Sequence, residues 1–467
     1  FSFSFELDIL EILRCFQAEG FPLYAQSRGE EFPLVFAGGP VPSTNPEPYA
    51  PFLDFFLIGD GENLLVQVMQ NLRQNRHLPK VERLLQLAST LEGVYVPRFY
   101  DVTYTEAGEV SGLQANQVGV PSAVKRQNYT GLDLDVATLP ILSEASVFGN
   151  RFLIEVMRGC SHRCRFCLAS YSTLPARPAG LEALRRAVEI GLTHTREIGL
   201  VGALIADHPD FPELCKFLDQ QADVRVSFGA LRVDTLTPQI CQTLANSGST
   251  NVTLAIESGS PWLRRRINKN LKQDAIFEAT EMVVAAGLKG LKLYHMVGLP
   301  DENDEHIQES IDLVKALHKA FPRLKLSVGC STFVPKAWTP FQWMPRLGTS
   351  NLKKRMAMLQ KGLVHHAEFR PSSAKWDTFQ AMVSRGDRRL APFLERFTIL
   401  GGTHGHVNRA FKSLEQDDIM LPNAAWYGER ERPEHETFAW DLLAHQVPKP
   451  ILWKEAQIPA ALQTEKP

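Results

Sequence analysis

The sequence predicts an α/β chain in three parts: a doubly wound, Rossmann-like domain, a partial (βα)6 TIM-like barrel, and an α-rich carboxyl-terminal extension. Three observations predict it. Between Arg151 and Thr332, six short apolar segments alternate with amphipathic ones, the rhythm of parallel strands joined by helices. Ahead of them runs a shorter series of strands and helices with Gly-rich turns after the strands. The length, 467 residues, exceeds what one core holds at ~100–200 residues per domain.

Hydrophobic residues make up 44% and charged residues 22%, with a net charge of −2. That is globular composition, and it gives no bulk-charge support for binding nucleic acid, which leaves only a local basic face to serve such a partner. No apolar run reaches the ~18–20 residues of a membrane span, and no secretory signal stands in front, so a cytoplasmic protein is expected.

In order along the chain, Phe1-Ser2-Phe3-Ser4-Phe5 alternates as a strand does, and Leu7, Ile9, Leu10 and Leu13 follow at helical spacing. An apolar strand from Pro33 to Ala37 ends in Gly38-Gly39-Pro40. After a Pro-rich loop, Leu53 to Ile58 forms a second strand, closed by Gly59-Asp60-Gly61-Glu62 and a helix through Leu72. Neither glycine turn has the G-x-G-x-x-G spacing of a dinucleotide site, so NAD is not inferred. The chain begins without Met, and the domain over 1–95 is expected to be incomplete. Residues 96–148, polar and rich in Gly, Thr and Asn, read as a linker with a short hairpin or two.

The barrel is expected over 149–345, with strands at Arg151–Met157, Glu197–Val201, Val224–Phe228, Asn251–Ile256, Gly290–Met296 and Lys325–Thr332. Helical stretches between them include Leu181–Ile190, Pro238–Ser247, Asp274–Ala286 and His306–Ala320. Six units instead of eight predict a barrel open on one side, with functional residues just after the strands. In the extension, 346–467, Lys353–His366 is amphipathic and Ser384–Arg389 is a compact charged motif. His365-His366 and Gly402-Thr403-His404-Gly405-His406 lack a cysteine or carboxylate partner at ligand spacing and read as loop histidines. The tryptophans from Trp376 onward read as core or junction residues, with base stacking as the alternative.

Seven cysteines, an odd number without a secretory context, are not a disulfide framework. Cys15, Cys215, Cys241 and Cys330 are isolated among apolar residues and read as small buried hydrophobes. Cys160, Cys164 and Cys167 instead fall within eight residues, directly after the first barrel strand. Three thiolates from one loop suit three irons of an iron–sulfur cluster and leave a fourth iron open to a small molecule. Zinc, with His162 as fourth ligand, is the competing reading.

This C-x3-C-x2-C, after the first strand of a six-unit barrel and with the aromatic Phe166 before its third cysteine, resembles the radical S-adenosylmethionine superfamily. The resemblance implies that Cys160, Cys164 and Cys167 hold a 4Fe-4S cluster. It further implies that S-adenosylmethionine chelates the open iron and is cleaved to a 5′-deoxyadenosyl radical, with Phe166 lying against the adenine. Gly202, after the second strand, sits where the family has a Gly-Gly-Glu stretch meeting the cofactor's amino group; only that glycine is kept here. Glu257 and Ser258, after the fourth strand, match a segment that contacts the ribose, and Arg264 or Lys269 is placed to pair with the methionyl carboxylate. Gly298-Leu299-Pro300 resembles the turn that closes over the adenine.

The first domain's Gly38-Gly39-Pro40, Asn45-Pro46-Glu47-Pro48 and Gly59-Asp60-Gly61-Glu62 resemble the later half of a cobalamin-binding-like domain found in one branch of that superfamily. Phe333-Val334-Pro335-Lys336, Thr339-Pro340-Phe341-Gln342-Trp343, Ser384-Arg385-Gly386-Asp387-Arg388, Trp440-Asp441 and Leu452-Trp453 extend the likeness to a subgroup of that branch. The cobalt-ligating D-x-H-x-x-G is absent, so cobalamin bound without that histidine and no cobalamin both stay open. The resemblance implies an enzyme that takes electrons from a reductant such as ferredoxin or flavodoxin. The outcome on an unknown substrate is left open: hydrogen abstraction, cobalamin-dependent methylation or a tRNA methylthiotransferase-like reaction. A redox-sensing or scaffold role for the cluster is the non-enzyme alternative.

Overall fold

The computed structural model describes residues 1–139 and 141–459; Pro140 of the predicted linker and residues 460–467 of the predicted extension lie outside it. The chain forms two compact units, each discontinuous in sequence. One combines 1–129, 334–348 and 375–454, and the other combines the described residues of 130–333, 349–374 and 455–459.

The second unit carries the predicted barrel strands. Phe152–Arg158, Glu197–Gly202 and Arg225–Phe228 pair in parallel and in chain order, with Thr138–Leu139 antiparallel on the outer edge. After a break at Gly229-Ala230, Leu231–Arg232, Asn251–Glu257, Gly290–Val297, Lys325–Thr332 and Glu368–Pro371 continue as a second all-parallel sheet. The third predicted strand stands at Arg225–Phe228, and the two-residue strand Leu231–Arg232 after it was not expected. The last strand was not expected, because its single half-buried residue, Phe369, gives no apolar run to read. The two sheets do not join into a closed barrel among the described residues.

Local chemistry explains where the helices begin. Thr237 caps Pro238–Asn246, whose proline occupies a first-turn position that needs no N–H donor. Asn303 and His306 cap Asp304–Ala320 reciprocally, each side chain accepting from the other residue's backbone N–H. That helix buries Ile307, Ile311, Val314 and Leu317 at three- and four-residue spacing, each worth roughly 1.5–3 kcal/mol of apolar burial. In Asn251–Glu257 the alternate residues Val252, Leu254 and Ile256 are buried, and this places the end of the strand, Glu257, at the rim.

The first unit holds a three-stranded sheet of Phe36–Ala37, Phe55–Leu57 and Val94–Tyr95, parallel then antiparallel. Helices Asp8–Ala18 and Glu62–Gln74 stand where the apolar spacing placed them, and Tyr100–Tyr104 pairs with Val110–Ala115 as a hairpin within the predicted linker. Two readings are corrected. Phe1–Phe5 makes a single bridge, Ser2 to Gly38, and leaves Phe1 and Phe5 exposed, so the alternation does not become a strand. Cys15 is exposed, because the buried face of its helix runs through Ile9, Ile12, Leu13 and Phe16; Cys215, Cys241 and Cys330 are buried as expected.

The charged motif of the predicted extension packs within this unit. Asn45 donates to the carbonyls of Ser384 and Gly386 at 3.2 and 2.9 Å. Arg388 grips the Glu47 carboxylate at 2.8 and 3.0 Å and donates to the Tyr95 hydroxyl at 3.0 Å. Trp440 is buried and donates to Gln342 at 2.8 Å, and Trp343 packs edge-on against Trp453, so these rings are core residues.

Candidate active site at the cysteine loop

The cysteine loop leaves the carboxyl end of Phe152–Arg158 through Gly159, whose φ of +84° suits a glycine. A Cβ there would stand 2.5 Å from the Thr173 carbonyl. The loop is held mainly by its own carbonyls: Asn268 donates to Arg163 O at 2.8 Å and to His162 O at 3.3 Å, and the Tyr171 hydroxyl donates to Arg163 O at 2.9 Å. Arg165 is fully buried, its N–H bonding Ile267 O and its guanidinium bonding Arg266 O. Thus the segment after the fourth predicted strand, 266–270, braces the loop from the side.

Cys160 and Cys164 are buried and Cys167 is half-buried. Burial pushes the Cys164 thiol up to about 11, against the pull of Lys269 and Arg232 and with the push of Cys167 and Cys160. Burial, and then Cys160, raise Cys167 as well. Two cations, Arg232 and Lys269, act on Cys164. Arg232 donates to Cys164 Sγ at 3.8 Å and to Lys269 O at 3.2 Å, and is itself held by Asp234 at 2.9 and 2.7 Å. Burial works against the charge on Arg232, but Asp234 and Cys164 outweigh it and hold the guanidinium above its ordinary value.

Three thiols from one loop, two of them buried, with two cations beside Cys164, match the donor set and charge of an anionic iron–sulfur cluster. Among the described residues no three His, Cys, Asp or Glu side chains surround one ion position; a cluster asks each thiolate for its own iron and does not need that convergence. His162, the fourth ligand of the zinc reading, turns instead to Asp207, Nε2 to Oδ2 at 2.7 Å.

The other predicted residues divide into two groups. Lys269 comes to the thiols and pairs with Glu257 at 2.8 Å, so two expected cofactor contacts meet each other. Glu257 has φ +64°, an uncommon backbone for a carboxylate residue, at the strand's end. Gly202 ends its strand at φ +154°, with 2.7 Å between a notional Cβ and Met157 O, so only glycine lets the two strand ends approach this closely. Phe166 is half-buried on the loop itself.

The rest serve their own segments. Ser258 is buried, its hydroxyl accepting from Ser260 N at 3.1 Å. The Arg264 guanidinium donates to Ser258 O, Gly259 O, Leu271 O and the Gln273 side chain, and closes this loop on itself. Gly298 (φ +83°) and the buried Pro300 form a turn in which Gly298 N–H donates to Glu302 at 2.9 Å. Arg355 also bonds that carboxylate at 2.9 Å. Burial nevertheless raises Glu302 to about 7, opposed by Gly298 and Arg355.

Sequence reasoning missed Arg232 and Asp234. Their one sequence signal is the Leu-Arg-Val-Asp alternation directly after the third strand, where this architecture collects functional side chains. Together with His162, Asn268, Lys269 and Lys272 they line a cavity of about 220 Å³ beside the cysteine loop.

The model of the Radical SAM superfamily matches residues 154–314, and that of Radical SAM proteins, N-terminal, matches 1–97. An uncharacterized protein of Methanocaldococcus jannaschii is 29% identical over 78% of this chain and 73% of its own length. The tRNA-2-methylthio-N(6)-dimethylallyladenosine synthase of Desulfosudis oleivorans is 27% identical over 35% of this chain, which spans 37% of that enzyme. Among solved structures, the cobalamin-dependent S-adenosylmethionine radical enzyme OxsB, with aqua-cobalamin and S-adenosylmethionine bound, aligns at TM-score 0.48 and 14% identity. That alignment covers 90% of this chain and 62% of that one. No helix among the described residues is long and apolar enough to cross a membrane.

Proposed function

We propose, from the premise that this chain belongs to the radical S-adenosylmethionine superfamily, that Cys160, Cys164 and Cys167 hold its 4Fe-4S cluster. The reaction proposed is reductive cleavage of S-adenosylmethionine, initiating hydrogen abstraction from a substrate. The observation that carries this reading is the set of three cysteines on one braced loop, two of them buried, with the Arg232 guanidinium 3.8 Å from Cys164 Sγ. When bound, the cluster supplies one electron to the sulfonium of S-adenosylmethionine.

The chain's own residues do the rest. Lys269 and Arg232 favour the thiolate form of Cys164 against the cost of burial, which cluster ligation requires. Asn268 and Tyr171 fix the loop through its carbonyls, leaving its thiols as donors. Gly202, Glu257 and Phe166 are proposed to meet the amino, ribose and adenine parts of S-adenosylmethionine. Arg264 and Ser258 position the Glu257 segment, and Gly298 and Pro300 the turn after the next strand. The predicted divisions, 149–345 for the catalytic barrel and 1–95, 96–148 and 346–467 around it, belong to the same reading. The family requires a reductant; a ferredoxin or flavodoxin is proposed for that role.

The test is anaerobic reconstitution with iron and sulfide, followed by dithionite and S-adenosylmethionine. Formation of 5′-deoxyadenosine is expected, and a fully loaded cluster that yields none overturns the radical mechanism. Cobalamin enters as a second cofactor on the resemblance of residues 1–95 alone. A stoichiometric shift of the hydroxocobalamin absorption bands on mixing supports it, and an unshifted spectrum removes it.

A further inference from the structure

The first unit contains a cavity of about 730 Å³, within the ~300–1,000 Å³ range of small-molecule sites. Nothing in the cysteine-loop chemistry uses it. Its walls come from segments far apart in sequence: Tyr24, Pro51, Leu53, Pro97 and Tyr104 from the front of the chain, and Pro392 from the helix that follows the Ser384–Arg388 motif. The Tyr24 ring and three proline rings give it flat, apolar sides, and the Tyr104 ring joins them with one face covered by the Arg389 guanidinium, 3.7 Å from its centroid. At its lip stand Ile419 and Met420, the latter 78% exposed, an apolar rim facing water. Leu53 and Asp54 precede the strand Phe55–Leu57, so the cavity lies at that strand's amino end. Doubly wound sheets bind their usual ligands at the opposite, carboxyl ends.

The charges on the walls differ in one respect. Arg388 is matched by Glu47 and Arg389 by Asp387. Behind the wall, buried Arg28 and Lys80 share the single carboxylate of Asp54, at 3.3 and 3.1 Å. Glu395 accepts the Tyr24 hydroxyl's hydrogen bond at 2.7 Å. Arg98 remains, exposed on the wall, its guanidinium without an ion pair or hydrogen bond among the described residues. We propose that this cavity is a ligand site for a flat, apolar molecule bearing one carboxylate, its rings between Tyr24, Tyr104 and the prolines and its carboxylate on Arg98. A guanidinium–carboxylate contact at the edge of an apolar wall is a charge-assisted hydrogen bond that fixes orientation, while the walls supply the burial.

The probes are 2-naphthoate and its neutral analogue 2-naphthalenemethanol, titrated calorimetrically into the whole chain. One naphthoate is expected to bind, about tenfold more tightly than the alcohol, which is the value of one hydrogen bond to a charged group. Arg98→Gln, at an exposed position, is expected to erase that preference and leave the alcohol's affinity unchanged. Ala25→Trp, which places a ring in the cavity, is expected to weaken both. Equal binding of the two probes, an unchanged naphthoate affinity in Arg98→Gln, or no binding of either overturns the proposal. The binding does not depend on the cluster: it is expected to persist when Cys160, Cys164 and Cys167 are replaced by Ala, which separates this test from that of the radical mechanism.

Discussion

Two short motifs, the cysteine loop at 158–167 and Ser384–Arg388, are both dense in charge and glycine, yet the structure treats them oppositely. In Ser384–Arg388 two charges are ion-paired within the unit, and the third, Arg385, meets only carbonyls and keeps its buried Nε without a partner. Arg385 is wholly buried and donates to Met344 O and Arg430 O, Arg388 closes on Glu47, and Arg389 on Asp387. At the cysteine loop two cations, Arg232 and Lys269, each also held by a carboxylate, act on Cys164, whose thiol burial pushes up. Charges satisfied internally make a motif architectural. A set of donors held at a cost, with compensating charge beside it, is built for something the chain itself does not contain.

The sharpest way to break this comparison is to remove the donors. Replacing Cys160, Cys164 and Cys167 with Ala is expected to abolish the broad iron–sulfur absorbance near ~400 nm and all 5′-deoxyadenosine formation, with the melting transition retained. Persistence of the absorbance would mean that other residues hold the cluster. The architectural motif is expected to respond the other way. Arg385→Ala leaves buried carbonyls at Met344 and Arg430 without their donor, a loss of about 3–5 kcal/mol. Denaturant unfolding measures it, and molecules that stay folded are expected to load iron normally.

Glu302 lies between these extremes, since burial raises it although Arg355 reaches it. The unfolded carboxyl ionises near its ordinary value of 4.5 and the folded one near 7. Its contribution to stability is thus fully present below pH 4.5 and is lost as pH rises to about 7, a change of about 3 kcal/mol. Glu302→Gln removes the titration and keeps an acceptor for Gly298 N–H. Urea unfolding between pH 4.5 and 8 is expected to show a flatter profile for the variant, and parallel profiles would mean that Arg355 keeps the carboxylate ionised when folded.

Much of the second unit was legible in the sequence because its parallel strands place apolar residues at their buried positions between amphipathic helices, at most positions of Gly290–Val297 and at alternate ones of Lys325–Thr332. The strand Glu368–Pro371 was not legible, since an edge strand with mostly exposed side chains has no such run. The thiols were legible because ligand spacing is local. The contact between Lys269 and Glu257 was foreseen only as two separate cofactor contacts, because which buried charges pair depends on tertiary packing. The association of Ser384–Arg388 with Asn45 and Glu47 spans over 330 positions of the chain and leaves no periodic trace.

Arg232 is the residue that sequence reasoning passed over, and it gives the finest test of the comparison. Its guanidinium is anchored by Asp234 and reaches Cys164 Sγ at 3.8 Å, a weak contact by distance but one made by a full positive charge. A cation beside a cluster thiolate stabilises the more negative, reduced form over the oxidised one. Arg232→Met, which keeps most of the stem, removes that preference and leaves Asp234 at the half-exposed rim. The expected effect is about 1 kcal/mol, or about 40 mV toward more negative potential for one electron. Redox titration of the reconstituted protein followed by electron paramagnetic resonance measures it. An unchanged potential would mean that Arg232 serves Asp234 and Lys269 O and only passes near the thiol, which would place it with the self-contained charges of Ser384–Arg388.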